Sequence, residues 1–122
     1  MANTIVNNKK ARFDYIIIDE YEAGISLKGW EVKSLRDGKG NIKESYATVK
    51  GSELILIGAH ISPLQNSNVT DESDSTRTRK LLMHRREINK IKSLIKEKGH
   101  TLVPLSMYWK NGHVKLSIGL AK

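Results

Sequence analysis

The stretch Leu105-Ser106-Met107-Tyr108-Trp109-Lys110-Asn111-Gly112-His113-Val114-Lys115-Leu116-Ser117-Ile118-Gly119-Leu120 decides the fold. Asn111-Gly112 is the strongest short hairpin signal in the chain, because a tight type I′ turn needs positive φ at both central residues and these two types tolerate it. Before the turn, Leu105, Met107 and Trp109 alternate with Ser106, Tyr108 and Lys110. After it, Val114, Leu116, Ile118 and Leu120 alternate with Lys115, Ser117 and Gly119. A period of two makes each arm a strand with one apolar side. An antiparallel pair of this length needs further strands to bury that side.

The rest of the chain supplies them. Residues 1–8 are polar and read as loose. From Phe13 to Ile18, aromatic and β-branched residues predict a strand, with Ile16-Ile17-Ile18 buried on both sides. Asp19-Glu20 marks a bend, and residues 21–27 read as a second strand. Gly29 breaks it, after which Val32 and Leu35 at i, i+3 predict a short amphipathic helix over 30–36. Strands follow at 45–49 and 54–59, joined through Lys50-Gly51-Ser52-Glu53. Residues 65–78 are polar and aperiodic and read as a long mobile loop. A second helix spans 84–98, where Ile88, Ile91, Leu94 and Ile95 share a face, with Glu87 in a weak capping box behind His84 and Gly99 as a stop. Six strands and two helices make a mainly β chain. Curling the sheet removes its open edges, so a small antiparallel OB-like β-barrel with two to three flanking α-helices is expected.

At 122 residues, 39% of them apolar, the chain suits one domain, residues 1–122, with enough core to fold without staples. The absence of cysteine excludes a disulfide scaffold, a thiolate metal site and a cysteine nucleophile, and fits a reducing cytoplasm. No stretch has membrane-spanning length, and the N-terminus lacks the apolar run of a signal peptide. A net charge of +8 draws a small domain toward polyanions, nucleic acid first. An anionic membrane fits less well, because the basic helix needs its apolar face for the core.

Catalytic chemistry is thin. His60, His84, His100 and His113 fall in different elements with no metal-ligand spacing, so no metal and no cofactor are expected. Gly38-Lys39-Gly40 lacks the spacing of a phosphate-binding loop and reads as a turn. Asp19, Glu20 and Glu22 lack the cleft and partner that general acid and base work requires. The basic residues say more. Lys80, Arg85, Arg86, Lys90, Lys92, Lys96 and Lys98, continued by Arg77 and Arg79, outnumber Glu87 and Glu97 and suit closely spaced phosphates. Lys9, Lys10 and Arg12 form a second basic patch. Glu22, in such company, is either a strand residue paired with a lysine or an acceptor for base N–H groups. Tyr15 and Tyr21 are either core residues or stacking platforms.

Several pieces together resemble one family: Asn-Lys-Lys-Ala-Arg at 8–12, Glu-Ala-Gly at 22–24, Gly-Trp-Glu-Val-Lys-Ser-Leu-Arg at 29–36, His-Ile-Ser-Pro at 60–63, Arg-Lys-Leu-Leu at 79–82, Val-Pro-Leu at 103–105 and Tyr-Trp-Lys-Asn-Gly at 108–112. Their order and spacing are similar to those of the SsrA-binding proteins (small protein B). The resemblance spans Asn8 to Lys122. It implies an OB-like barrel that binds the tRNA-like domain of transfer-messenger RNA (tmRNA), supports its alanylation and delivers it to stalled ribosomes for trans-translation. It further implies the decoding region of the ribosome as a partner, with elongation factor Tu and alanyl-tRNA synthetase met indirectly through the RNA. By resemblance, Asn8, Tyr15, Glu22, Leu82 and His84 match positions tied to RNA binding; Lys9, Lys10, Arg12, Lys33 and Lys80 join them on electrostatic grounds. Two departures stand out. Asp74-Ser75 replaces the Asp-Pro common in the family, which implies a looser loop. The chain also ends at Ala121-Lys122, where the family continues into a basic tail that stands in for codon–anticodon pairing. A core ending there is expected to bind tmRNA without supporting tagging. The competing expectations are a general OB-type tRNA or ribosome binder and, more remotely, an RNA-processing enzyme.

Overall fold

The computed structural model describes residues 3–64, 72–97 and 99–122. The elements run β1 (Asn3–Asn7), α1 (Lys9–Asp14), β2 (Ile17–Ile25), α2 (Gly29–Arg36), β3 (Gly40–Asn41), β4 (Tyr46–Lys50), β5 (Glu53–Ile57), β6 (His60–Ile61), a 3₁₀ turn (Glu72–Thr76), β7 (Arg79–Leu82), α3 (Arg85–Lys96), β8 (Thr101–Lys110) and β9 (His113–Ala121). The principal sheet has the order β1-β8-β4-β5-β7-β2-β9, and β9 pairs again with β8, so six antiparallel strands close into a barrel. Closure leaves the barrel without a free edge, while β1 extends β8 outside the ring and β3–β6 forms a separate two-stranded piece.

The C-terminal hairpin folds as its alternation requires. Asn111 and Gly112 both take positive φ, 52° and 78°, and Lys110 pairs with His113 across the two-residue turn. Met107, Leu116 and Ile118 are fully buried inside the barrel beside Leu54, Leu56, Leu81 and Leu102. The helix α3 inserts Ile88 and Ile91 into the same core, and α2 inserts Leu35. Lys50 pairs with Glu53, so Gly51-Ser52 is the predicted short connection of the second hairpin.

Four expectations are corrected. Residues 3–7 are not loose: they pair with β8 through Asn3–Trp109, Thr4–Tyr108, Val6–Met107 and Asn7–Ser106. Residues 13–16 are not strand. The helix α1 runs through Asp14, held by the burial of Ala11 against Val103, Leu105 and Ala121. Phe13 is 89% exposed and Ile16 72%, and only Ile17 of the isoleucine run packs against this small cluster. Asp19-Glu20 does not separate two strands: β2 continues through them beside β9, and its one irregularity there falls just before, between Ile17 and Asp19. Of the expected mobile loop 65–78, residues 65–71 lie outside the described residues; Glu72–Thr76 forms a 3₁₀ turn, and just after the loop Arg79 begins a strand between β5 and β2.

Candidate nucleic-acid interface

Strand parity builds the outer face. On β2, Ala23 and Ile25 point into the barrel, which turns Glu20, Glu22 and Gly24 outward. Gly24 stands opposite Leu82 of β7 on one side and Lys115 of β9 on the other, and Lys115 stands opposite Tyr108 of β8. The row Leu82–Gly24–Lys115–Tyr108 therefore crosses four strands. A Cβ at Gly24 would lie 3.3 Å from the Cβ of Leu82, so the bare glycine lets the leucine lie over β2. Leu82 remains half exposed there, one turn of the pleat from Glu22.

Glu22 sits within this row's reach. The Tyr108 hydroxyl donates to Oε2 of Glu22, and the Lys110 ammonium donates to both carboxylate oxygens at 3.2 and 3.3 Å. The Tyr108 hydrogen bond is the largest influence on the Glu22 carboxyl; burial, next in size, opposes it, and the hydrogen bond and charge of Lys110 and the charge of Lys115 tip the balance so that the carboxyl lies below its usual range. Tyr108 is pushed up, by burial first and then by Glu22, so its hydroxyl keeps the proton it donates. The result is a fixed anion with lone pairs still facing solvent, set between apolar Leu82 and cationic Lys110 and Lys115. Such a carboxylate can accept from the amino or imino N–H groups of an unstacked base. Tyr108 and Lys110 were not among the residues expected to matter. Their outward parity was legible in the hairpin, but their meeting with Glu22 depends on the β2–β9 pairing.

The remaining expected residues fall into distinct places. Lys9, Lys10 and Arg12 are exposed on α1, and Arg12 reaches Glu20 of β2 at 3.3 Å, so the helix adjoins the face that carries Glu22. Asn8 is buried. Its main-chain N–H donates to the Leu105 carbonyl at 2.8 Å and its side-chain Nδ2 to the Pro104 carbonyl at 2.9 Å. Those two carbonyls flank the irregularity between Pro104 and Ser106 in the β8–β9 ladder, which Asn8 satisfies. Tyr15 is exposed at the end of α1, in a cleft shared with Asn8 and Lys10. Lys80 points outward from β7 and lies 3.7 Å from Glu53. His84 is the exposed residue before α3 and makes no capping hydrogen bond. Lys33 is exposed on α2 and has no ion-pair partner among the described residues. Glu22 and Leu82 are thus brought together, as are Asn8, Lys10 and Tyr15; Lys33 and His84 stand apart.

Arg77 and Arg79 do not extend the basic surface. Arg79 is fully buried, with Nε donating to Glu31 at 2.8 Å and its other nitrogens to the carbonyls of Ala59, Arg77, Asp74 and Ser75. Arg77 donates to both oxygens of Glu31 and to the Ser26 carbonyl. Burial works against the charge on Glu31, but the hydrogen bonds of Arg77 and the Lys28 N–H and the charge and hydrogen bond of Arg79 outweigh it and hold the carboxyl below its ordinary range. This cluster ties α2 to the 3₁₀ turn and β7, and so fixes the strand that presents Lys80 and Leu82. Arg36 lies over the Trp109 ring at 5.6 Å, which anchors α2 to the barrel end. Among the described residues no group of three His, Cys, Asp or Glu side chains could hold a metal ion, and no helix is long and apolar enough to cross a membrane.

Residues 5–122 match the family model described as SmpB protein. The chain is 61% identical over 120 residues to the SsrA-binding protein of Ruthia magnifica subsp. Calyptogena magnifica, covering 98% of this chain and 73% of that one. It is 54% identical over 119 residues to the SsrA-binding protein of Ralstonia nicotianae, covering 98% and 80%. A solved chain from a structure described as "tmRNA-SmpB: a journey to the center of the bacterial ribosome" superposes with a TM-score of 0.78 at 42% identity, over 96% of this chain and 82% of that one.

Proposed function

The chain belongs to the SmpB family of SsrA-binding proteins, and on that premise we propose how its barrel serves the family's task. The protein binds tmRNA and delivers it to the stalled ribosome in trans-translation, and in this reading it supports alanylation of the RNA on the way. In this reading it works as one RNA-binding domain in the cytoplasm, without catalysis of its own. It binds the tRNA-like domain of tmRNA and reaches the decoding region of the ribosome, and it meets elongation factor Tu and alanyl-tRNA synthetase only through the RNA.

The observation that supports this reading is the outer face around Glu22. An ionised carboxylate held by Tyr108 and Lys110, beside a half-exposed Leu82, is ill suited to phosphate and well suited to the polar edge of an unstacked base. Lys9, Lys10, Arg12 and Lys80 contribute phosphate contacts near it, while Lys33 on α2 and His84 before α3, which stand apart from that face, meet more distant parts of the RNA. Asn8 acts chiefly by shaping the α1–β8 junction from which Lys9, Lys10, Arg12 and Tyr15 project. Sequence-specific RNA readout needs such base contacts in addition to charge.

Glu22→Ala tests the assignment. The variant is expected to lose affinity for the tRNA-like domain, read by fluorescence anisotropy, while the salt dependence of binding stays that of the parent, because no phosphate contact is lost. Parent-like affinity in a folded Glu22→Ala protein would remove Glu22 from the interface.

A further inference from the structure

The cleft that holds Tyr15, of about 340 Å³, opens between α1 and the segment leading into β4. It is lined by Tyr15 and Tyr46, which are 38% and 48% exposed, by Lys10 and Lys43, and by the buried Asn8. Two exposed tyrosines lining one cleft are unusual in a chain with only seven aromatic residues, because tyrosine in a barrel is ordinarily core or hydrogen-bonded. Neither hydroxyl has a hydrogen-bond partner among the described residues, and Lys10 and Lys43 have no ion-pair partner there. The amide of Asn8 is oriented by its bond to the Pro104 carbonyl, which leaves Oδ1 buried at the floor with no partner among the described residues. Asp14 and Glu44 also line the cleft, so it carries acceptors as well as cations.

We infer that this cleft captures one unstacked nucleobase, with Tyr15 and Tyr46 as its stacking platforms and Lys10 and Lys43 at the adjoining phosphates. The inference rests on the RNA-binding role proposed above and adds Tyr46 and Lys43 to it. Aromatic faces hold any base, whereas lysines read only the backbone. A cleft that combines both with acceptors at floor and rim suits a base that presents N–H donors, and not a bare phosphate, which Asp14 and Glu44 would repel. Asn8 Oδ1 is closed to solvent, so its partner enters with a shift of the side chains over it.

The division of labour gives each residue its own signature. Anisotropy titration of the tRNA-like domain at several salt concentrations is expected to show Tyr46→Ala weakened roughly 5- to 150-fold with an unchanged salt slope, the loss typical of one stacked base. Tyr46→Phe, which keeps the ring, should bind within about threefold of the parent. Lys43→Ala should flatten the slope by about 0.7–0.9, one phosphate's worth. Independently of tmRNA, adenosine 5′-monophosphate should move the Tyr15 and Tyr46 ring proton signals of the parent in NMR, and Tyr46→Ala should abolish the Tyr15 shift. If Tyr46→Ala binds like the parent, or loses affinity only by changing the slope, the base cleft is overturned while tmRNA binding stands. If the parent shows the nucleotide-induced shifts but no preference for the tRNA-like domain over elongator tRNA, the proposed function fails and the cleft survives.

Discussion

Replacing Arg79 by methionine should cost this protein a large share of its stability without touching its surface. Arg79 is fully buried and meets only protein: Glu31 Oε2 at 2.8 Å and the carbonyls of Ala59, Ser75 and Arg77 at 2.7, 3.1 and 3.2 Å. Methionine fills the aliphatic stem but donates nothing. Removing one partner of a buried ion pair costs about 3–5 kcal/mol. Two effects act on that figure in opposite directions. Glu31 keeps Arg77 and the Lys28 N–H, which softens the loss, while the abandoned carbonyls add to it. Against a total of about 5–15 kcal/mol, the variant loses roughly a fifth of its stability or more. For a chain of this size the drop in Tm is roughly 10–30 °C. Thermal and urea unfolding at neutral pH, with the m-value checked for constancy, measures it. A loss under about 1 kcal/mol would refute the claim that this cluster holds α2, the 3₁₀ turn and β7 together. The pH arm has a definite sign. Because the folded Glu31 carboxyl lies below its unfolded value of about 4.3, its contribution is complete above that pH and is lost as pH falls through the folded value. Glu31→Gln should therefore be less stable than the parent near neutrality, and the gap should narrow in acid below about pH 4.

Three further outcomes are expected. Glu22→Ala should change stability by no more than about 1 kcal/mol, since its partners Tyr108 and Lys110 are joined to it at the surface, and a larger loss in urea unfolding would make Glu22 a structural residue. Tyr108→Phe removes the hydroxyl that orients Glu22, so tRNA-like-domain affinity should fall in the same direction as in Glu22→Ala and the two effects should be less than additive in a double-mutant cycle. Gly58→Ala should destabilise by about 1–3 kcal/mol, because φ at this position is 86° and a Cβ would meet the Glu44 carbonyl oxygen at 3.0 Å; a Tm equal to the parent's would contradict that.

What could be read from the chain depended on how local the deciding contact was. The β8–β9 hairpin and α3 were legible because turn chemistry and apolar period lie within a single segment. The strand β1 was not, since only Ile5 and Val6 are apolar and what recruits them is the open flank of β8, a hundred residues away in sequence. The alternation Phe13, Tyr15, Ile17 misled because one small residue, Ala11, commits the segment to a helix by packing against β8 and β9. Arg79 was legible in principle: Leu81 must face the core, and strand parity carries Arg79 inward with it. Missing was the strand assignment itself, and the partner Glu31 lies 48 positions away. At the candidate interface, charge and the family motifs pointed to Glu22, Leu82 and the α1 lysines. Tyr108, Lys110 and Tyr46 became visible only when non-local pairing set them beside the others.

The central claim, specific recognition of the tRNA-like domain of tmRNA, is tested most directly by titrating that labelled RNA and an elongator tRNA with this chain at several salt concentrations. The account predicts tight binding that prefers the tRNA-like domain, with a slope set by about three to five phosphates at ~0.7–0.9 each, so that the preference survives as salt rises. Equal binding to both RNAs that vanishes together with increasing salt would contradict it.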